Sequence, residues 1–249
     1  MGKVFGFALT LVAFLLFSAY TTILYAHHRA QKLLGEVQAL VPGKTAIGEV
    51  KNLVQRYGGE EYDAHSYYGY VGSDAKYSSP DPCLSEALSY AVYASPPLIL
   101  MRAVQAFPKL QAFGMHPWFV SLAIHHKDGI VTCYSQNVMF IRPDGQEVSG
   151  SADLELRNPQ SLVEQKAYEA ESFVSRNFYH KTRVNVLREA LAEEKTRAFQ
   201  MDLSCTVSFR GCYFPCQIIP LGWLDSLHDR QAHGRDLPEG ANDPRCPPH

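Results

Sequence analysis

The sequence lacks the motifs by which common enzyme classes are recognised. It has no glycine-rich phosphate loop, no Gly-x-Ser-x-Gly nucleophile elbow and no His-Glu-x-x-His pair. It also lacks a basic excess, since its formal net charge is −2, and nucleic-acid binding normally requires one. These absences predict no cofactor and no nucleic-acid partner, and they direct attention to membrane and protein partners.

Charged residues are missing from the first part of the chain. Residues 4–25 contain none, and most of them are apolar. With a rise of 1.5 Å per residue, these roughly 22 residues extend about 33 Å as a helix, close to the thickness of the hydrocarbon core of a bilayer. The sequence therefore predicts a single transmembrane helix that contacts the lipid bilayer through residues 4–25.

A cleaved secretory signal is the alternative interpretation of this segment. Such a signal carries small residues at the first and third positions before the cut. A cut after Ala26 places Leu24 at the third position, and a cut after Ala19 places Phe17 there. Because both side chains are large, an uncleaved signal anchor over residues 1–26 is favoured.

The apolar pattern continues beyond the anchor at helical spacing until Pro42-Gly43. Thr45 is placed to cap a second helix, which Gly58-Gly59 would end. The pattern thus predicts a helical hairpin. Its apolar positions are Ala30, Leu33, Leu34, Val37, Leu40 and Val41 in the first helix, and Ile47, Val50, Leu53, Val54 and Tyr57 in the second.

Residues 43–58 carry a family resemblance. The run Gly43-Lys44-Thr45, followed by Glu49-Val50, Leu53 and Tyr57-Gly58, resembles the helical hairpin of the BamE/SmpA-type outer-membrane assembly lipoproteins. The resemblance implies a helix pair packed on a small antiparallel sheet. The chain departs from that family in lacking the lipobox cysteine, since its first cysteine is Cys83, so a role in outer-membrane assembly is not carried over.

The middle of the chain shows the pattern of an antiparallel meander. Apolar residues predominate over 118–124, 130–134 and 138–141, and they alternate with polar ones over 146–156. Asp128-Gly129 and Asp144-Gly145 separate these runs, and Asp-Gly between alternating apolar runs is a strong hairpin signal.

The remaining segments are assigned by spacing and composition. The tyrosine-rich residues 62–93 predict short strands, and Ser95-Pro96-Pro97 predicts the start of a short helix. Apolar spacing of three and four predicts helices over 163–178 and 187–198, whereas 201–209 is predicted as a strand. His125-His126 is predicted to lie in the exposed turn beside Asp128.

These elements together predict an α+β protein. A transmembrane helix leads into a helical hairpin, then into an antiparallel β-meander with packed helices. The predicted divisions are a signal anchor over 1–26, a single globular α+β domain over 27–228, and a tail over 229–249. Proline, glycine and charge dominate the tail, which is predicted to be disordered or loosely held.

Cysteines provide the most specific site hypothesis. Cys205, Cys212, Cys216 and Cys246 form a candidate disulfide set, which requires an oxidising compartment. The alternative is a cytosolic zinc site with Cys246 or His228 as the fourth ligand, although only Cys212 and Cys216 have the usual ligand spacing. Spacing leaves the pairing open. A buried free thiol is a third interpretation, above all for Cys133, which lies in a predicted strand.

Orientation and function follow from these features. Arg29, Lys32 and Lys44 behind the anchor favour a cytoplasmic domain, whereas a signal anchor with disulfides favours an extracytoplasmic one. The favoured hypothesis is a single-pass cell-envelope protein whose extracytoplasmic domain binds or scaffolds a protein partner. The alternative is a membrane-tethered hydrolase, which needs a nucleophile, a base and an orienting group in one cleft.

Overall fold

The computed structural model describes residues 2–63, 88–142, 144–155, 166–175 and 179–246. Within these ranges it contains five α-helices and one seven-stranded sheet, which confirms the predicted α+β class. The helices are α1 (Gly2–Gln38), α2 (Ile47–Tyr57), α3 (Leu98–Ala106), α4 (Ala192–Phe199) and α5 (Pro220–Ala232), and the strands are β1 (Gly59–Asp63), β2 (Leu88–Ala94), β3 (Trp118–Lys127), β4 (Ile130–Ile141), β5 (Glu147–Glu155), β6 (Tyr168–Ser175) and β7 (Tyr179–Leu187). Short 3-10 helices cover Pro108–Phe113, Ser204–Val207 and Pro215–Gln217.

The sheet has the order β1-β2-β3-β4-β5-β7-β6. Neighbouring strands are antiparallel except for β5 and β7, which are parallel. The predicted meander is confirmed as β3, β4 and β5. Asp128 and Gly129 both have positive φ in the turn between β3 and β4, which is the conformation that an Asp-Gly hairpin turn adopts.

One face of the sheet carries the apolar core. Side chains alternate between the faces of a strand, and Trp118, Val120, Leu122 and Ile124 of β3 are all nearly fully buried. Helix α2 and the second half of α1 pack over β2, whereas α5 packs over β6 and β7. The helices thus cover the core from both ends of the sheet.

The helical hairpin forms as predicted, but its cap differs. Glu36 of α1 receives hydrogen bonds from Arg56 and Tyr57 of α2, and Gly58 ends α2 with a φ of 78°. Thr45 does not cap α2. Its hydroxyl accepts a hydrogen bond from the Val41 amide at 2.8 Å, which closes the turn between the helices instead.

Three predictions in the second half of the chain are wrong in whole or in part. The range 163–178, predicted as a helix, contains strand β6, and the helix predicted over 187–198 begins only at Ala192. The strand predicted over 201–209 contains the 3-10 helix Ser204–Val207. Local hydrogen bonds explain this turn, because the Asp202 carboxylate accepts from the Ser204 amide and the Thr206 hydroxyl donates to the Leu203 carbonyl.

His125 and His126 also lie elsewhere than predicted. They belong to β3, with the turn beginning only after Lys127. A β-bulge separates the two residues. His125 is buried, with 6% of its surface exposed, and His126 stacks on Tyr90. The predicted exposed turn is therefore wrong for this pair.

Part of the end of the chain packs on the domain, whereas residues 231–237 are exposed. Residues 229–232 belong to α5, and Ala241 and Cys246 are buried against Phe214, Trp223 and Leu227. This packing differs from the loosely held tail that the composition predicts, because a few small buried side chains and one sulfur are enough to fix it. Of the predicted strands in 62–93, β1 and β2 are described in part, and residues 64–87 lie outside the described ranges.

Candidate functional site

A cavity of about 540 Å³ lies where α1 ends against α4. This volume falls within the usual range for small-ligand sites. The walls come from four separate parts of the chain. They are formed by Gln38, Leu40, Val41, Pro42, Tyr134, Leu154, Arg188, Ala192, Lys195, Thr196 and Phe199.

Aromatic and aliphatic side chains form the apolar part of the cavity. Tyr134 of β4 and Leu154 of β5 are register partners, and the Phe199 ring packs on Tyr134 with centroids 4.9 Å apart. Burial raises the pKa of Tyr134 to about 12, so its hydroxyl stays protonated at neutral pH. That hydroxyl has no hydrogen-bond partner among the described residues, and it can donate to a ligand.

Two cations line the same cavity. Arg188 follows β7 directly, and Lys195 in α4 donates a hydrogen bond from Nζ to the Arg188 carbonyl at 2.6 Å. Neither side chain forms an ion pair in the described part of the chain, and none of the described lining residues is acidic. Cations without a counter-ion favour an anionic ligand, since charge-assisted hydrogen bonds are the strong ones.

Gly43 positions the Arg188 guanidinium. A Cβ atom at residue 43 would lie 1.8 Å from Nη2 of Arg188, and Gly43 has a φ of +80°. The Gly43 amide donates to the Val131 carbonyl at 2.7 Å. The positive φ favours glycine here, and a Cβ atom would displace the guanidinium. The turn between α1 and α2 therefore acts as the support for Arg188.

Helix α4 is held on both sides. Nε2 of Gln38 in α1 donates to the Phe199 carbonyl at 2.6 Å. On the other side, Arg197 and the Tyr168 hydroxyl both donate to Asp225 of α5, each at 2.5 Å. Burial, followed by the bond to Asp225, raises the pKa of Tyr168. These contacts fix Lys195 relative to the sheet.

The first half of α1 has a different surface from the second. Its large apolar side chains are exposed, and the stretch Leu9–Gln38 is long and apolar enough to cross a membrane. From Ile23 onward one side of the helix is buried in the domain. The exposed residues are Phe7, Leu9, Leu11, Val12, Phe14, Leu15 and Phe17, and the buried ones are Ile23, Ala26, Ala30, Leu33, Leu34 and Val37.

The four candidate cysteines form two disulfides. Cys205 pairs with Cys212 and Cys216 with Cys246, with Cα atoms 5.0 and 5.4 Å apart. This pairing leaves no thiolate among the four for the zinc set, and His228 lies exposed on α5. Cys133 is disulfide-bonded too, which removes the free-thiol interpretation for it. Cys83 lies outside the described residues.

A possible nucleophile, Ser89, and a possible base, His125, lie next to each other inside the sheet. Nδ1 of His125 lies 2.6 Å from the Ser89 hydroxyl oxygen, on neighbouring strands. Burial lowers the pKa of His125 to about 4, with the charge of Asp153 acting in the opposite direction. The imidazole is therefore neutral at pH 7, and the same burial makes it a weak base. Ser89 has no exposed surface, so the pair is closed to substrate in this conformation.

Sequence reasoning missed both the cavity and the Ser89–His125 pair. No local motif signals either one, because the strands and helices that contribute their side chains are far apart along the chain. Comparisons with protein-family models, with curated proteins and with solved structures found no match. The resemblance of residues 43–58 to the assembly lipoproteins stays a prediction.

Proposed function

We propose that the protein crosses a membrane once, through residues 4–25, and carries an extracytoplasmic domain that binds a ligand or scaffolds an envelope partner. The exposed apolar side chains on the first half of α1 support the anchor, since water does not favour such a surface. The two disulfides support an oxidising compartment for the domain.

Membrane extraction tests the anchor. The full-length protein is expected to stay in the membrane fraction after high-salt and carbonate washing. Phe14→Asp should release or destabilise it, because a charge at mid-bilayer costs about 2.5 to 3.5 kcal/mol on insertion scales, whereas the control Phe14→Leu should behave as the wild type. A washed protein that is soluble and begins at His27 would establish a cleaved signal instead.

The binding part of the proposal is carried by the cavity at the end of α1. Its two cations lie beside aromatic side chains, and no described residue that lines the cavity is acidic. An anionic group, carboxylate or phosphate, attached to an apolar body matches this combination. The anion would accept hydrogen bonds from Arg188, Lys195 and the Tyr134 hydroxyl, while the apolar body would contact Phe199 and Leu154.

Titration calorimetry on the full-length protein in nanodiscs tests this ligand chemistry. The probes are phenyl phosphate and benzoate, with uncharged benzyl alcohol as the neutral comparison. Arg188→Gln or Lys195→Gln should each weaken binding of the anions about 10- to 100-fold, since a hydrogen bond to a charged group contributes about 1.5 to 3 kcal/mol. Lys51→Gln, an exposed cation on α2 outside the cavity, is the control. Equal binding of benzyl alcohol and the anions would exclude the proposed recognition.

A membrane-tethered hydrolase is the second candidate, and the 2.6 Å distance between Ser89 and His125 is the observation that favours it. Catalysis would require an opening of the sheet face that exposes Ser89. Treatment with a fluorophosphonate probe, followed by peptide mass spectrometry, distinguishes the two functions. A Ser89 adduct that is lost in Ser89→Ala would favour the hydrolase, and an unlabelled protein would favour the binding function.

A further inference from the structure

A second exposed apolar surface lies beside the anchor. It is formed by α3, by the 3-10 helix Pro108–Phe113 and by Phe209, and it is termed the juxtamembrane surface. Its large side chains are between 53% and 81% exposed, which is unusual for one contiguous part of a domain. They are Leu98, Ile99, Phe107, Phe113 and Phe209.

The elements of this surface pack directly on α1. Val104 of α3 and Met115 form a buried cluster with Ile23 of α1. Partly buried side chains extend the cluster on both sides, so the contact covers the part of α1 that leads out of the anchor. These side chains are Leu100 and Leu110 from the surface elements, Val207 from the 3-10 helix Ser204–Val207, and Leu16, Ala19 and Tyr20 from α1.

The contact fixes the depth of the juxtamembrane surface. Leu16 lies nine residues before Tyr25, which is about 13 Å along a helix. If residues 4–25 span the hydrocarbon core, Ile23 lies about 3 Å and Leu16 about 13 Å below its outer boundary. The elements that pack on this stretch then reach from the outer interface into the hydrocarbon core. A polar surface at that level would lose hydration, whereas exposed Ile99 and Phe107 would be buried favourably.

The charge of the region fits the same environment. Residues 96–127 contain no aspartate or glutamate. The exposed cations Arg102 and Lys109 accompany the apolar side chains, and Arg210 follows Phe209. Long basic side chains beside an apolar patch can keep their charges at the level of the lipid headgroups and bind anionic lipids.

We propose that the juxtamembrane surface is a second membrane contact, which inserts Ile99 and the neighbouring aromatic side chains into the outer interface of the bilayer and binds anionic headgroups through Arg102, Lys109 and Arg210. This inference rests on the proposed anchor. The domain is then held against the membrane at a fixed tilt, rather than extended from it on a free helix.

Quenching by brominated lipids tests the proposal on the full-length protein. The protein is reconstituted into vesicles of phosphatidylcholine and phosphatidylglycerol, in parallel samples brominated near the top and near the end of the acyl chains. Trp118 and Trp223 are each 1% exposed. Their emission is measured in the wild-type protein and subtracted from that of each variant. A reporter is added as Ile99→Trp or Phe107→Trp on the surface, Phe14→Trp in the anchor, and Leu191→Trp on an exposed site at the far end of the domain.

The proposal expects loss of the added emission for the reporters at 99, 107 and 14, and none for the reporter at 191. Combined Arg102→Gln, Lys109→Gln and Arg210→Gln should reduce the quenching at 99 in vesicles that contain phosphatidylglycerol, but not in pure phosphatidylcholine. Quenching at 14 without quenching at 99 or 107 would overturn the proposal, leave the anchor intact and assign the surface to a protein partner. Quenching at 191 as well would overturn the proposal, because the whole domain would then contact the lipid unselectively. Absence of quenching at 14 would refute the anchor instead.

Discussion

His125 is the buried histidine whose charge state is most strongly restricted. It lies inside the sheet, where its ring bonds the Ser89 hydroxyl. Burial is the main cause of its lowered pKa, Asp153 acts in the opposite direction, and His126 adds to the lowering. Protonation of the folded protein at this site would place an uncompensated charge among strands, which the fold can avoid only by keeping the ring neutral.

The stability of the domain should therefore fall in mild acid. The pKa of His125 is about 4 in the folded protein and 6.5 in an unfolded chain. Between these values the unfolded state binds more protons than the folded state. The contribution of His125 to the unfolding free energy is therefore complete above pH 6.5 and is lost as the pH falls towards 4. The loss attributable to this residue is about 3 kcal/mol. His125→Gln, which can still bond Ser89, should show a smaller decrease in unfolding free energy between these pH values.

Denaturant unfolding at a series of pH values measures this effect. His228→Gln is the matched control, since His228 is exposed on α5 and its replacement should leave the pH dependence of the wild type unchanged. If wild type and His125→Gln lose stability in parallel, then His125 is not the group responsible.

At the level of elements, the contact between α5 and the sheet depends on a glycine. A Cβ atom at Gly222 would lie 2.5 Å from the Val184 side chain. Gly222→Ala should therefore destabilise the domain by about 1 to 3 kcal/mol through overpacking, although alanine is the better helix former. Gly35→Ala is the matched control. Gly35 lies within α1 with no atom near its missing side chain, so alanine there should stabilise by about 0.5 to 1 kcal/mol.

Thermal or denaturant unfolding of both variants decides this point. A stabilised Gly222→Ala protein would mean that α5 can move away from β7 without cost. The outcome bears on the cavity as well, because Asp225 of α5 holds α4 through Arg197.

The two disulfides should contribute unequally. Cys205–Cys212 joins residues 7 apart, whereas Cys216–Cys246 joins residues 30 apart. In the chain-entropy model these loops contribute about 2 and about 3 to 4 kcal/mol respectively. Replacing Cys216 and Cys246 together by alanine should lower the unfolding free energy more than replacing Cys205 and Cys212 together. A larger loss from the shorter loop would show that burial of Cys205 and Cys212 in the main core outweighs chain entropy.

The elements that the sequence predicts correctly are those with an uninterrupted pattern of apolar residues. Strands β3 to β5 alternate apolar residues on their core face, and Asp-Gly marks their turns. Strand β6 was predicted as a helix because its core face carries Ser172, which is buried and bonded to Thr182 and Ser226. A polar core residue removes the alternation, and the remaining Ala167, Ala170 and Val174 happen to have helical spacing.

The cavity could not be predicted from the sequence, for a different reason. Arg188 and Lys195 resemble any surface cations in the sequence, and only the packing of α4 against the end of α1 brings them over Tyr134. The same holds for Ser89 and His125, which meet through strand pairing. Tertiary contacts of this kind leave no local signal, whereas the cysteines could be named in advance because few roles are open to them.

At the level of the whole molecule, α1 belongs to two environments. Its first half is exposed and apolar, and its second half is part of the core that covers the sheet. The proposed anchor continues into the core without a linker, and it would therefore transmit the position of the membrane to the domain. The cavity lies at the other end of the same helix, at Gln38, so a ligand there would be held at a fixed distance from the bilayer.

The oxidation state of the cysteines tests on which side of the proposed membrane anchor the domain lies. We expect that Cys205, Cys212, Cys216 and Cys246 take up no blocking reagent in the denatured full-length protein until a reductant is added. The measurement is intact mass with blocking before and after reduction, because early blocking prevents reshuffling from imitating native bonds. Uptake at all four sites before reduction would remove the support for an oxidising compartment. The basic residues Arg29, Lys32 and Lys44 behind the anchor would then favour a cytoplasmic domain under the positive-inside rule. The juxtamembrane surface would contact the inner leaflet, and the cavity would lie on the cytoplasmic side.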